Sequence, residues 1–362
     1  MLVYSYLVLF SCIVAFLNYI FDSKFYKYFS LLLILVIAII VPGVRDSVTG
    51  TDSLMYANFL SYNYSIGEWF KLIEPFNALI YSFYQKYGDN NYSHIFFIYS
   101  IITNIFLLFG IYKTSRNIPL SLGILFMFNC FYFLQINIMR QAVAMAICLY
   151  AVNLLLTYEN IKYYIIILFA CLFHTSAAIC FLFPLFRYFL NKNFVVFCML
   201  SVFIFTSLPL VSDFIIRILS SGGGIFEKYS HYMNGRNQDG SGKKMFFLDL
   251  VVVVGLIFLS DYKKLFSNME FRFFFYMILV LLSLLFSISF LGLDPMGLGR
   301  VHYFFYIGLI FGLPYVFECI RKEYRAFAYL IFFSFLVFNF YFYLYVFHSV
   351  GYLPYLISDQ LF

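Results

Sequence analysis

The chain has 362 residues, of which 64% are hydrophobic, 24% aromatic and only 11% charged. A soluble globular domain carries roughly 25% charged residues, so this composition excludes a soluble protein and implies an integral membrane one. The net charge of +6 invites a nucleic-acid or anionic-lipid reading, but it is spread over short basic loops, which argues for membrane topology instead.

A helix needs about 20 mostly apolar residues to cross a bilayer. Eleven stretches reach that length fully or marginally: 2–21, 25–42, 94–112, 118–136, 141–157, 161–187, 194–211, 245–260, 271–292, 301–319 and 326–347. Their apolar runs are continuous, where barrel strands would alternate over about 10 residues. The expected fold is an all-α polytopic membrane protein with about eleven hydrophobic segments, forming one transmembrane domain over residues 1–362. The first stretch lacks a basic leader and a small-residue cleavage site and reads as a retained helix. Seven cysteines stand singly along apolar segments, as small buried hydrophobes and not as ligands or disulfide partners.

Lys24 with Lys27, Lys113 with Arg116, Arg187 with Lys192, Lys263 with Lys264 and Arg272, and Arg321 with Lys322 and Arg325 mark loops that the positive-inside rule assigns to the cytoplasm. Loops 43–93, 220–244 and 293–300 and both termini then lie outside. Loops 157–162 and 187–193 both become cytoplasmic, so one crossing is surplus. A re-entrant pair of short helices over 161–190, meeting near His174, removes it, since re-entrant backbone is tolerated where protein or water covers it. The alternative places 220–244 inside, with a different short segment miscounted as a span.

Within 43–93, Gly67-Glu68-Trp69-Phe70-Lys71 and then Ile80, Phe83, Tyr84 and Tyr87 at near-helical spacing predict an amphipathic segment on the outer interface, with Trp69 at headgroup depth. The glycines at 222–224 suit loop 220–244 to act as a lid. There is no GxxxxGK[ST], no GxGxxG after a strand, no HExxH and no DxD, so neither a bound nucleotide nor a metal-held nucleotide sugar is expected. No cofactor and no metal are expected.

Four ionisable residues, Arg45, Arg140, His174 and Arg300, fall within or at the outer ends of spans, where a charge costs a few kcal/mol or more and marks a functional site. Arg45 shares a short loop with Asp52, and a mutual salt bridge is the plain alternative. Thr49-Gly50-Thr51 between them can present backbone N–H groups to an anion. Arg140 is bracketed by Asn137 and Gln141, the alternative being an arginine that snorkels from a helix end. Arg300 follows a glycine-rich turn and precedes His302, Tyr303 and Tyr306, which suits a phosphate at a helix N-terminus; pairing with Asp294 is the alternative. His174 stands beside Thr175 and Ser176, either as a structural donor or as a titrating group. His348 reads as interfacial.

Arg45-x-x-x-x-Gly50-Thr51-Asp52-x-x-x-Tyr56, Glu74-Pro75, Met139-Arg140-Gln141-x-x-Ala144, Phe173-His174-x-Ser176-Ala177, and Arg300 with Tyr303 and Tyr306 resemble, in order, the EpsG-like branch of the Wzy polysaccharide polymerases. The resemblance implies a bacterial inner-membrane glycosyltransferase of C-type architecture. Such an enzyme joins O-antigen, capsule or exopolysaccharide repeat units carried on undecaprenyl pyrophosphate, with its active site facing the periplasm. A chain-length regulator protein and membrane lipid are the partners it suggests.

The chemistry is compatible. Arginines can stabilise a departing pyrophosphate without a metal, and Arg45, Arg140 and Arg300 are the candidates. Asp52 or His174, with Glu74 third, is the candidate base for the attacking hydroxyl. Tyr56, Gln141, His302 and Tyr303 join the expected substrate contacts, and Tyr62, Tyr64, Tyr229 and Tyr232 offer rings to sugars. A flippase for the same lipid-linked oligosaccharide, an O-acyltransferase or a glycan ligase are the alternatives.

Overall fold

The computed structural model describes residues 2–21, 23–88, 91–221, 241–294, 298–345 and 351–361. The apolar runs fold as helices, with no strand among the described residues. Seven helices are long and apolar enough to span a membrane: Lys24–Gly43, Tyr92–Thr114, Met139–Leu156, Thr175–Val211, Met269–Phe290, Gly299–Cys319 and Lys322–Tyr345. Ile118–Met127 and Phe131–Asn137, bent by 61°, make an eighth if they count as one span. The chain is an all-α polytopic membrane protein; among the described residues seven or eight segments pass as spans, and the eleven that the sequence suggested are not confirmed.

The difference has local causes. Leu2–Leu17, Asn160–Cys171 and Phe246–Leu259 are shorter apolar helices. The expected loop at 187–193 is helical apart from one break at Asn193 (φ −141°, ψ 66°). Near His174 the helix does stop, at Cys171, and resumes as a 3-10 helix over Thr175–Leu182. The sharp bend, however, belongs to 118–137, of which the sequence presented 118–136 as an unbroken span.

The chain forms two units, Met1–Ala178 with Phe333–Phe362, and Ile179–Phe332. The first contains α1 (Leu2–Ile20), α2 (Lys24–Gly43), α3 (Ser53–Asn58), α4 (Ile66–Leu72), α5 (Pro75–Tyr87), α6 (Tyr92–Thr114), α7 (Ile118–Met127), α8 (Leu134–Asn137), α9 (Met139–Leu156) and α10 (Asn160–Cys171). The second contains α11 (Phe183–Ser221), α12 (Ser241–Leu259), α13 (Tyr262–Ser267), α14 (Met269–Phe290) and α15 (Ile307–Cys319), and α16 (Lys322–Tyr345) runs on into the first.

Helix α9 is the core of the first unit. Its alanines Ala142, Ala144, Ala146 and Ala151 are buried and let neighbours approach closely, as small residues do between membrane helices. At the α6 contact, a Cβ added to Gly110 would stand 2.4 Å from Leu149 Cδ2 and 3.0 Å from the Tyr150 backbone. Asn339 of α16 closes the bent segment, bonding the Asn129 backbone N–H (2.7 Å) and side chain (3.0 Å). In the second unit α14 and α15 form the core, with Phe274 and Phe311 rings 5.6 Å apart. Tyr276 and Ser287 of α14 bond Ser201 and the Phe205 carbonyl of α11. The opposite face of α11 exposes Phe203 and Leu210, as expected for a helix whose outer side meets lipid.

Candidate functional site

Helix α2 carries Pro42 in its last turn. Proline has no N–H and leaves the carbonyl four residues back without its helical bond, and the Tyr132 hydroxyl donates to that carbonyl, Ala38 O, at 2.5 Å. The last carbonyls of any helix also need outside donors. Arg45, 1% exposed, meets this need: it donates to Pro42 O, to Ile136 O at the end of α8 (3.1 Å) and to Ser53 Oγ (3.3 Å). Ser53 Oγ donates in turn to Ile136 O at 2.9 Å. The guanidinium lies 4.0 Å from the Phe96 ring centroid. Burial lowers its pKa to about 10, opposed by the nearby Tyr4, Tyr355, Tyr56 and Tyr81 hydroxyls, so it stays cationic at neutral pH.

The anticipated Arg45–Asp52 salt bridge does not form. Asp52 is half-buried, accepts from Thr51 Oγ1 at 3.4 Å, and occupies the N-cap position of α3. Gly50 has φ +97°, and a Cβ there would meet Asn137 Oδ1 at 2.6 Å and Ile136 Cγ2 at 2.7 Å. Only glycine fits both the conformation and the gap. The Arg-to-Gly-Thr-Asp segment is thus pressed against the segment that leads into Arg140.

Residues 351–361 strap this turn from the other side. Gly50 N–H donates to Gly351 O (2.6 Å), Asp46 N–H to Leu356 O (2.8 Å) and Ser358 N–H to Val44 O (3.0 Å). The Leu356 N–H reaches Thr49 Oγ1 (3.1 Å), the Tyr355 hydroxyl reaches Val41 O (2.7 Å), and Ser358 Oγ meets Ser93 Oγ (2.7 Å). The sequence held no signal for this role of the tail.

Arg140 opens α9, and its Nη1 stands 2.5 Å from Glu74 Oε2, with 17% of the arginine side chain exposed against 3% of the glutamate. Its Nε is buried with no hydrogen-bond partner, and its guanidinium lies 5.9 Å from the Tyr56 ring centroid. Tyr56 is one turn along α3 from Asp52, and Tyr81 OH donates to its carbonyl at 3.2 Å.

Asn77, fully buried, gathers the remaining strands of the network. Its Nδ2 donates to Glu74 Oε2 (3.2 Å) and to Phe173 O (2.8 Å), and its Oδ1 accepts from Tyr99 OH (2.5 Å). Phe76 N–H bonds Leu172 O at 3.1 Å. The start of α5 therefore satisfies the backbone of the break that presents His174. That histidine is half-buried, and its Nδ1 lies 2.6 Å from Ser176 Oγ. Asn77 and Tyr99 escaped the sequence reading; the asparagine three residues after Glu74-Pro75 was the available sign.

The first unit thus brings four motif segments together: 45–56, 74–77, 136–141 and 173–176. Several members serve as framework and not as contact surface. Tyr56, Glu74 and Gln141 are buried, so the ring of Tyr56 is not open to a sugar. Trp69, expected at headgroup depth, is 1% exposed; it stacks on Tyr81 with centroids 5.4 Å apart and donates to Gln85 Oε1 at 2.8 Å. Tyr62 and Tyr64 are exposed. In the second unit Arg300 is half-buried within the 3-10 helix Leu298–Tyr306. His302 is buried there, its Nδ1 2.5 Å from Gly299 O and its ring 4.0 Å from that of Tyr303. Tyr229, Tyr232, His348, the glycines at 222–224 and residues 295–297 lie outside the described residues.

The EpsG family model matches residues 27–357. The chain belongs to the EpsG family. The match takes in every motif segment of both units and residues 351–357 of the tail strap. EpsG membership points to a membrane protein of polysaccharide biosynthesis, a polymerase or glycosyltransferase. No curated protein and no solved structure matches the chain.

Proposed function

We propose that this EpsG-family chain polymerises oligosaccharide repeat units carried on undecaprenyl pyrophosphate, at the outer side of a bacterial inner membrane. A growing glycan leaves its lipid pyrophosphate as a hydroxyl of another lipid-linked unit attacks the anomeric carbon. Arg140 is the proposed contact to the departing phosphate: it is cationic, partly exposed, at the N-terminus of a long helix, and aimed by Glu74. A guanidinium so fixed stabilises charge that develops in the transition state without reorganising. Glu74, already engaged by Arg140 and Asn77, suits an orienting role better than that of base.

Asp52 and His174 remain the candidate bases, both half-buried at the edge of the assembled segments. Arg45, whose guanidinium is taken up by protein acceptors, is a positioning residue in this scheme, and Arg300 is a second phosphate candidate within its own unit. A chain-length regulator is a proposed partner. The observation that carries the reading is the gathering of the four motif segments around the Arg140–Glu74 pair.

The test is purified protein with lipid-pyrophosphate-linked repeat units, read as a ladder of products on a gel. Wild-type protein extends single units into long chains, and Arg140→Ala leaves only single units. Long chains of wild-type yield from Arg140→Ala and from Arg300→Ala would remove the assignment. Transport of intact units without any new glycosidic bond would point to a flippase.

A further inference from the structure

Helices α3, α4 and α5 lie in the connection between the spans α2 and α6, and so share a side of the membrane with Arg45, Asp52 and Glu74. Helix α5 has Glu74 at its N-cap, and its two faces serve different ends. Asn77 and Tyr81 are fully buried and belong to the framework around Arg140. Leu79, Ser82, Phe83 and Lys86, at the i, i+3, i+4, i+7 spacing of one helical face, line a groove of about 670 Å³ whose other wall is the segment 63–66. Ligand sites fall in the range of roughly 300–1,000 Å³. At 1.5 Å per residue, the groove runs from about 8 to about 18 Å beyond Glu74 along the helix axis.

The wall opposite α5 is fixed by the protein's own contacts. Ser65 and Glu68 form a capping box at the start of α4, and Tyr64 packs edge-on against Trp69 with ring centroids 5.2 Å apart. The Gln85 side chain ties the walls together, accepting from Trp69 Nε1 at 2.8 Å and donating to the Tyr62 carbonyl. On the α5 side the Phe83 and Tyr87 rings lie 5.1 Å apart, and Lys86 Nζ stands 5.1 Å from the Tyr87 ring centroid. Asn63 is exposed and Ser82 half-buried, and both present polar groups to the groove. Sugar rings offer C–H faces that pack on aromatic rings, and a rim of hydroxyls that both donate and accept. A hydrocarbon chain seated here would strip water from Asn63, Ser82 and Lys86 and return no hydrogen bond, and a free anion would leave the rings unused.

We infer that this groove holds sugars of the growing glycan while the pyrophosphate end of the same molecule sits at Arg140, an assignment that rests on the polymerase reading above. Tyr64, Phe83 and Tyr87 take the sugar faces, and Asn63, Ser82 and Lys86 bond the hydroxyls. Because the groove begins beyond the reacting end, it favours long donors over short ones and sets how far chains grow.

Trp69 is the single tryptophan of the chain, and its contacts with Tyr64 and Gln85 couple its fluorescence to the groove. The probes are oligosaccharides of one and of several repeat units, released from their lipid by mild acid so that no pyrophosphate remains, added to the full chain in a detergent without a sugar headgroup. The multi-unit oligosaccharide shifts Trp69 emission at lower concentration than the single unit, and it does so in Arg140→Ala as well. Phe83→Ala/Lys86→Ala leaves the contacts of Trp69 in place, weakens binding roughly tenfold and shortens the product ladder, yet still joins two single units. Ser82→Phe fills the groove and has the same effects, a separate test should the double variant fold poorly. Tyr262→Ala, which removes an exposed ring of the second unit, changes neither readout. Emission unmoved by the multi-unit oligosaccharide, or a full-length ladder from Phe83→Ala/Lys86→Ala, overturns the groove and leaves polymerisation standing. An equal shift from phosphatidylglycerol overturns it too, by making the groove a lipid site. Wild-type protein that binds the oligosaccharide yet builds no ladder keeps a glycan groove and removes the polymerase reading.

Discussion

The Arg140–Glu74 pair separates a structural arginine from a substrate-binding one. In Arg140→Met, Glu74 keeps a carboxylate of which 3% is exposed, without its countercharge and with the amide of Asn77 still bonded to it. Removing one partner of a buried pair costs about 3–5 kcal/mol. In Glu74→Gln the arginine keeps its charge, but 17% exposure admits water, so the loss is smaller, about 1–3 kcal/mol. The double variant holds neither charge, and replacing both members of such a pair by neutral groups is close to neutral. The two single losses therefore do not add, and on these figures the coupling between them is about 4–8 kcal/mol. Stability is read as the fraction of monodisperse protein surviving a temperature ramp in detergent, and activity as the product ladder. Both Arg140→Met and the double variant lose at least about 10²-fold in rate, as removal of one charge-stabilising donor does, although the double variant is stable. A stable double variant that polymerises at the wild-type rate would show that Arg140 serves only to neutralise Glu74. Additive single losses would show that the two side chains are not coupled at all.

Gly50→Ala forces an L side chain to φ +97° and against Asn137; a loss of more than about 1 kcal/mol and of chain elongation is expected in the same two assays. Asn77→Ala strips partners from Glu74, the Phe173 carbonyl and Tyr99, and lowers thermal stability by about 1–3 kcal/mol, whereas Tyr99→Phe, which removes one hydroxyl, costs less. If His174 is the base, His174→Asn abolishes the acidic limb of the pH–rate profile, because histidine changes charge between about pH 5 and 8; an unchanged limb in His174→Asn and a lost one in Asp52→Asn gives the role to the aspartate. Tyr355→Phe removes the bond to Val41 O and lowers stability by about 1 kcal/mol in the same temperature ramp.

The helical character of the chain was legible because continuous apolar runs report it directly. The number of spans was not, because hydropathy does not record where a helix bends or carries on through a loop-like segment. Residues 118–137 read as one smooth run, yet Asn129 takes φ +50° and the segment turns by 61°. Conversely, Arg187 and Lys192 looked like a loop and lie in a helix broken only at Asn193. The motif residues were legible as a set, and four of their segments do meet. Their roles were less so, because these depend on which carbonyls the neighbouring helix ends leave open. Arg45 looked destined for Asp52 or a phosphate, but Ile136 O at the end of α8 and Pro42 O at the end of α2 claim it. From the sequence Glu74 reads as the third candidate base, because its proximity to Arg140, 66 positions away, cannot be read there.

The strap formed by residues 351–361 bears on how the protein is made. The turn at 44–51 is synthesised early, while its partners Gly351, Leu356 and Ser358 emerge some 300 residues later, after roughly 15 to 60 seconds at 5–20 residues per second. During that interval the nascent turn lacks its three backbone bonds to the tail, so the gathered motif segments reach their final arrangement only once the late segment has docked.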